Sequence, residues 1–289
     1  MADSAHQIQL YLVSDSTGET VQAIARACIV QFEGIEGVEH HWNLVRNVAR
    51  VDQILERIAQ APGIVLFTFV NHELRTHLMD GCRQLRVPCI SVLEPFINAF
   101  ENYLGAPARQ QPGRQHALDA DYFSRIDAMQ FALTHDDGQG LWNLKQADVI
   151  LTGVSRTSKT PTCIYLANRG IKAANVPFVP GIGLPEELLA MKGGEDGPLI
   201  IGLTKDPASL VQLRKNRLKM ISEGEETDYV DLETVKQEVT MCRRICRERG
   251  WAMIDVSRRS IEETAAAIIQ NFDRRAESRL GLSGPEVGA

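Results

Sequence analysis

Eight residues in the middle of the chain, Gly153-Val154-Ser155-Arg156-Thr157-Ser158-Lys159-Thr160, have the types and spacing to hold a polyphosphate. They match G-x-x-x-x-G-K-[ST], except that Ser158 stands where the second glycine is expected. A loop of this kind turns successive backbone N–H groups inward, and the dipole of the following helix adds positive potential. Lys159 supplies charge for the terminal phosphates, and Thr160 offers a hydroxyl to Mg²⁺ as the metal-binding residue. Arg156, at the crest, can bring a planar fork of donors to a transferring phosphoryl group. Pro161 falls in the first helical turn, where its missing N–H costs nothing. The competing reading is a chance strand, polar turn and helix, and a Ser158 side chain that crowds the phosphates would favour it. The flanks count against it: DVILT at 148–152 reads as a buried strand, and Lys159–Asn168 as a helix.

Two further clusters carry chemistry. Ser14, Asp15, Ser16, Thr17 and Gly18 follow the first apolar strand and open the first helix, so their N–H groups are placed for a second phosphate, inorganic or on a substrate phosphothreonine. The plainer reading is a helix cap from Ser16 or Thr17 with Glu19 matched to the dipole, and the acidic Asp15 and Glu19 favour it. His135-Asp136-Asp137-Gly138 gathers a titratable ring and two carboxylates at a turn. Phosphoryl transfer to a hydroxyl needs a carboxylate near the acceptor and oxygen ligands for Mg²⁺, and either aspartate suits both tasks. A solvated turn that ends the preceding helix is the alternative.

Asp206, before Pro207, reads as a helix N-cap in preference to a metal partner. Arg214, Lys215, Arg217 and Lys219 read either as a basic lid over phosphates or as a solvated helix face. The six cysteines form no CxxC pair, which favours free thiols in a reducing cytosol over zinc. The three tryptophans and the His40-His41 pair carry no legible chemistry.

The elements that must position these residues alternate. Apolar strand patterns at Ile8–Val13, Glu39–Val45, Gly63–Val70 and Val87–Leu93 are separated by helical patterns at Glu19–Phe32, Val51–Ala61 and His72–Leu85, with Glu94–Leu104 following. Gly105–Gly113 is a loop, and Asp119–Thr134 a helix. The rhythm restarts at Asp148 with strands at Ala174–Val179, Pro198–Leu203 and Trp251–Val256. Helices are expected at Asp206–Met220 and Leu232–Arg249, and at Ser260–Arg275 with a Ser260/Glu263 capping box. The tail after Leu280 is expected to fray. The fold class is therefore α/β: two parallel-sheet halves, an N-terminal α/β domain at 1–145 and a P-loop kinase-like nucleotide-binding domain at 146–289. The turn at 135–138 then falls near the junction, where a cleft is expected. With 31 basic and 37 acidic residues the formal net charge is −6, which disfavours nucleic acid as a partner. No apolar run approaches the roughly 18 residues of a membrane span, and no secretory leader is visible, so a soluble cytoplasmic enzyme is expected.

The segment GVSRTSKTPTCIYLANRGIKAANVPFVP at 153–180, with YLVSDSTGET at 11–20 and ALTHDDG at 132–138, resembles the pyruvate, phosphate dikinase regulatory protein family. That family also includes regulators of phosphoenolpyruvate synthase, and the resemblance runs from about Gln9 to Leu280. Thr157-Ser158 looks like the dikinase branch, since the synthase branch tends to carry Cys-Gly there. The resemblance implies a bifunctional serine/threonine kinase and phosphorylase. One activity moves the β-phosphoryl of ADP to a threonine of histidine-phosphorylated dikinase, inactivating it. The other uses inorganic phosphate to remove the phosphothreonine, releasing pyrophosphate. It implies ADP and inorganic phosphate as co-substrates and the dikinase as partner; Mg and a homo-oligomeric state are expected. Lys159, Arg156, Asp136, Asp137 and His135 are the expected catalytic residues, and the loop from Gly153 to Thr160 the nucleotide site. Phosphoenolpyruvate synthase as target, a small-molecule P-loop kinase and a nucleotide-sensing module are the alternatives.

Overall fold

The computed structural model describes residues 6–109, 111–112, 120–191, 197–221 and 228–279. The tail after Leu280 and part of the 105–113 loop lie outside them. Contacts gather the chain into two units, residues 1–117 and 118–289. The sequence alone suggests a boundary at 145/146; the contacts draw the preceding helix into the second unit.

The first unit is built on a four-stranded parallel sheet, ordered β2-β1-β3-β4, from β1 (His6–Val13), β2 (Ile35–Trp42), β3 (Ile64–Phe67) and β4 (Cys89–Ser91). Its helices are α1 (Glu19–Ile29), α2 (Val48–Gln60), α3 (His72–Gln84) and α4 (Glu94–Leu104). In β1, Tyr11 and Val13 pack with α2 and α3 on one face, and Leu12 packs with Val21 and Ala25 of α1 on the other. Burial on both faces explains why the second half of β1, Leu10–Val13, is apolar at every position. β2 begins earlier than its own apolar pattern indicates, because His6–Val13 draws it into register over its full length, His6 opposite Ile35 and Val13 opposite Trp42. β3 is shorter than its apolar run: after Phe67 the chain turns, and the Thr68 hydroxyl donates to Ser14 Oγ at 2.9 Å.

The second unit repeats the plan. Its parallel sheet, ordered β6-β5-β7-β8, comprises β5 (Val149–Gly153), β6 (Ala173–Pro177), β7 (Leu199–Thr204) and β8 (Ala252–Asp255). Around it lie α5 (Ala120–Thr134), α6 (Lys159–Ala167), the one-turn α7 (Glu186–Leu189), α8 (Pro207–Ile221), α9 (Leu232–Glu248) and α10 (Ile261–Arg279). Short 3-10 turns at Leu141–Gln146 and Asp228–Val230, like α7, carry too few residues for periodicity to reveal them. One face of the sheet packs on α8 and α9 through Leu210, Val235 and Val239, and the other on α5, α6 and α10 through Ala128, Leu166 and Ile268.

Capping is local and legible. Ser260 and Glu263 form a reciprocal box, with N–H to Oε2 at 2.8 Å and N–H to Oγ at 3.1 Å. Asp206 Oδ1 accepts the Ser209 N–H at 2.9 Å, so this residue caps α8. In both sheets the first strand lies inside, flanked by the second and third. Chain direction across the sheet reverses there, and the crevice beyond the strand C-termini is where such folds bind ligands.

Candidate active site

The turn Gly153–Ser158 joins β5, buried along its length, to the N-terminus of α6. Gly153 adopts φ 143°, and a Cβ there would meet the Leu203 carbonyl oxygen at 2.3 Å, so the close passage of β7 requires glycine. Arg156 at φ 73° and Ser158 at φ 63° are both left-handed, separated by a residue that is not. That alternation forms a concave nest of N–H groups. Ser158 takes the conformation glycine would adopt freely, at a cost of roughly 1–2 kcal/mol. Among the described residues, no backbone acceptor takes the N–H groups of Ser155 through Thr160.

Lys159 lies beneath this nest, 6% exposed, and its Nζ donates to the Gly153 carbonyl at 2.9 Å and the Val154 carbonyl at 3.0 Å. Burial pushes its pKa down to about 8, with the charges of Asp137 and Asp136 among those that oppose the shift. Thr157 is buried, and its hydroxyl donates to the Val154 carbonyl at 3.0 Å, which stiffens the loop from inside. Arg156 is exposed at the crest, with no described hydrogen-bond or ion-pair partner.

A cleft of about 690 Å³ opens over the loop. Ser155, Arg156, Ser158, Lys159 and Thr160 line it, together with Asp136 and Asp137 from the turn after α5. The Thr160 hydroxyl donates to Asp136 Oδ1 at 2.9 Å. These two oxygens belong to elements distant in sequence and face one space. The donors are hard oxygens, and Mg²⁺ commonly takes one or two protein oxygens alongside substrate phosphates, so the residues fit that ion. Arg217, from the basic stretch of α8, also reaches the cleft.

His135 is placed differently from its two neighbours. It is 4% exposed, stacks on Phe131 with ring centroids 3.7 Å apart, and its Nδ1 lies 2.8 Å from the Phe131 carbonyl. The cleft is lined by Asp136 and Asp137 but not by His135, whose own carbonyl accepts the Asn175 N–H at 2.9 Å.

The basic stretch divides. Lys215, Arg217 and Lys219 are exposed, whereas Arg214 is 1% exposed and is held by Glu238 at 2.7 Å. Sequence gave no sign of this pair, since Glu238 lies one helix away on α9. Asn175, 2% exposed in β6, was also missed. A polar amide inside the run AANVP was the available signal.

In the first unit, the Ser14–Gly18 loop lies beyond the C-terminal end of β1 and lines a cleft of about 130 Å³ with Thr68 and Val70. Gly18, at φ 85°, is the N-cap of α1, and a Cβ there would meet Asn43 Oδ1 at 2.2 Å. Much of the loop's polarity is used internally. Ser14 Oγ accepts from Thr68 and from the Ser16 N–H, and Asp15 Oδ2 accepts the Val70 N–H at 2.8 Å. Burial holds the Asp15 carboxyl above the usual carboxylate range, against hydrogen bonds and the Arg46 charge that pull it down.

Parallel α/β units with an amide-lined turn, a buried lysine and a hydroxyl–carboxylate pair define the class of phosphate-handling α/β proteins. The chain belongs to the kinase/pyrophosphorylase family, whose model matches residues 10–269. Its relatives agree. A protein of Paramagnetospirillum magneticum is 52% identical over 93% of this chain and 86% of its own length. One of Caulobacter vibrioides is 52% identical over 92% and 83%. One of Rhodospirillum rubrum is 49% identical over 94% and 97%. All three carry the provisional name pyruvate, phosphate dikinase regulatory protein. Among the described residues no helix is long and apolar enough to cross a membrane.

Proposed function

We propose that the second unit is a P-loop kinase-like domain and that the cleft over Gly153–Thr160 transfers phosphoryl groups to and from a threonine of pyruvate, phosphate dikinase. The observation that carries this is the buried Lys159 ammonium beneath six backbone N–H groups without described acceptors. In the forward direction a threonine oxygen attacks the β-phosphorus of ADP, the β-phosphoryl moves to threonine, and AMP leaves. In the reverse-acting reaction an oxygen of inorganic phosphate attacks the phosphothreonine, the Oγ–P bond breaks, and pyrophosphate leaves. Both reactions pass a phosphoryl group between a threonine oxygen and a phosphate oxygen, so amides and a cation that neutralise a diphosphate serve each.

In this reading the amides of Ser155 through Thr160 cradle the diphosphate, Lys159 neutralises its terminal group, and Arg156 closes over the transferring phosphoryl. Asp137, exposed on the cleft wall, is placed to take the acceptor proton, while Thr160 and Asp136 would hold Mg²⁺, which would neutralise charge on the phosphates. His135 belongs to the same constellation by holding the turn, through its stacking on Phe131. The Ser14–Gly18 loop is proposed as a second phosphate site, supported by its position at the reversal point of the first sheet. The names of the relatives support the dikinase as target, and we place the protein in the cytoplasm as a homo-oligomer. The exposed apolar residues Phe96, Phe100 and Tyr103 along α4 also favour self-association.

The test mixes the protein with histidine-phosphorylated dikinase and ADP. Phosphothreonine and AMP are expected, then pyrophosphate when inorganic phosphate is added. Absence of phosphothreonine would leave a small-molecule kinase or a sensor, and phosphorylation of phosphoenolpyruvate synthase alone would move the target to the other branch.

The depressed Lys159 pKa sets a pH window. Below about pH 8 the ammonium is charged and anion affinity is at its plateau. As pH rises past that value the dissociation constant for ADP should climb about tenfold per unit until the lysine pKa in the complex is reached. The sign is opposite for folding. The folded pKa lies below the unfolded one, so this group's contribution to stability rises as pH goes from about 8 to 10.5. Calorimetric ADP titrations from pH 7 to 9.5 check the first statement, and a flat profile would overturn it.

A further inference from the structure

Among the described residues that line the cleft, Asn175 is the one with a buried side-chain polar atom left without a partner. It sits in β6, the edge strand beside β5, and is 2% exposed. Its main chain straps the turn after α5 to the sheet edge: its N–H donates to the His135 carbonyl at 2.9 Å, and its carbonyl accepts the Gly138 N–H at 2.9 Å. Its side chain continues the strap. Nδ2 donates to Asp136 Oδ1 at 2.7 Å and to Thr160 Oγ1 at 3.1 Å, closing a triangle with the Thr160–Asp136 bond of 2.9 Å. The orientation of the amide is fixed chemically, since turning it over would set Oδ1 against the Asp136 carboxylate. Oδ1 is therefore left buried with no partner in the described protein, while Asn175 itself lines the cleft. A buried acceptor without a donor is costly, about 1–3 kcal/mol, unless a ligand supplies one.

We propose that Asn175 is a positioning residue for a divalent cation, resting on the nucleotide reading above. Its amide nitrogen holds Asp136 Oδ1 and Thr160 Oγ1 at the spacing of two neighbouring oxygen ligands. Its free Oδ1 accepts a hydrogen bond from a water in the cation's shell. Mg²⁺ and Mn²⁺ keep several waters when bound beside phosphates, and each such water is a strong donor. Partners of this kind orient ligands without touching the ion, and their loss typically lowers metal affinity by about 10–100-fold. The anion-binding half of the site, Lys159 and the loop amides, makes no hydrogen bond to Asn175. Metal affinity and metal-free nucleotide affinity should therefore separate.

The experiment titrates Mn²⁺ into the full-length protein with ADP, following free Mn²⁺ by electron paramagnetic resonance, and measures ADP binding in EDTA by calorimetry. Asn175→Ala should weaken Mn²⁺ binding to the protein–ADP complex about 10–100-fold while metal-free ADP affinity changes less than about threefold. In an Asp136→Asn background the same substitution should add little, because the residue it positions has lost its charge. Asn175→Ser, which retains a small polar group too short to reach Asp136, should behave like Asn175→Ala and serves if that variant does not fold. Unchanged Mn²⁺ affinity in a folded Asn175 variant, or additive losses with Asp136→Asn, would overturn the proposal. Failure of the unsubstituted protein to bind ADP at all would instead overturn the nucleotide reading.

Discussion

Lys159→Ala is expected to reduce ADP-dependent phosphorylation about a thousand-fold while leaving the protein folded. Removing one positioned donor from a transition-state site costs about 2.7–4 kcal/mol. Lys159 brings a full charge within a turn whose other donors are neutral amides, so the loss should reach the upper end. Its stability effect runs the other way. With a folded pKa of about 8 against 10.5, the charged side chain disfavours the fold by about 3 kcal/mol at neutral pH. Deleting it removes that penalty together with the bonds to the Gly153 and Val154 carbonyls, so the melting temperature should hold or rise. Lys159→Arg should also be inactive, since a planar guanidinium does not fit a slot that leaves the residue 6% exposed. Phosphothreonine formation and thermal unfolding on the same preparations decide the matter. Near-normal transfer by folded Lys159→Ala would remove the lysine, and with it the loop, from the proposed chemistry.

The elements that hold this loop were legible because their signals are local. β5 is buried throughout and opens on the apolar Val149-Ile150-Leu151 because both faces are covered, and α10 announces itself through a side chain and a backbone N–H three residues apart. The edges of elements were less legible where a partner sets them. β2 takes its first residue from pairing with β1, and β3 stops where Thr68 turns toward Ser14. Within the site, Gly153, Lys159 and Thr160 stand out because chemistry and spacing coincide in eight residues. Asn175 and Glu238 do not, because their partners lie 39 and 24 residues away. A linear pattern carries no trace of such pairings until the sheet brings β6 beside β5. The basic run on α8 shows the same limit: four cations look alike in sequence, yet the helix buries Arg214 and leaves Lys215, Arg217 and Lys219 in solvent.

Glu238→Ala should produce the largest loss of stability, about 3–5 kcal/mol, because it leaves the buried Arg214 guanidinium without a counter-charge. Arg214 Nη2 donates to Glu238 Oε2 at 2.7 Å, and Nη1 donates to the Tyr229 carbonyl at 3.0 Å. The guanidinium also lies 4.5 Å from the centre of the Tyr229 ring. Tyr229 in turn meets the phosphate loop, its hydroxyl 3.0 Å from Ser155 Oγ. The pair therefore joins α8, α9 and the loop crest, and its loss should both lower the melting temperature, by roughly 6–20 °C, and weaken ADP binding. Glu238→Gln keeps a hydrogen-bond acceptor and should lose less. The informative variant replaces both partners, Arg214→Met with Glu238→Leu. Apolar replacement of a buried ion pair is often neutral or stabilising, so folding should recover. Ser155 would still have lost the arginine that orders Tyr229, so ADP affinity should stay low. Recovery of stability and affinity together would mean that the pair only fills space, and that the crest of the loop orders itself without Arg214.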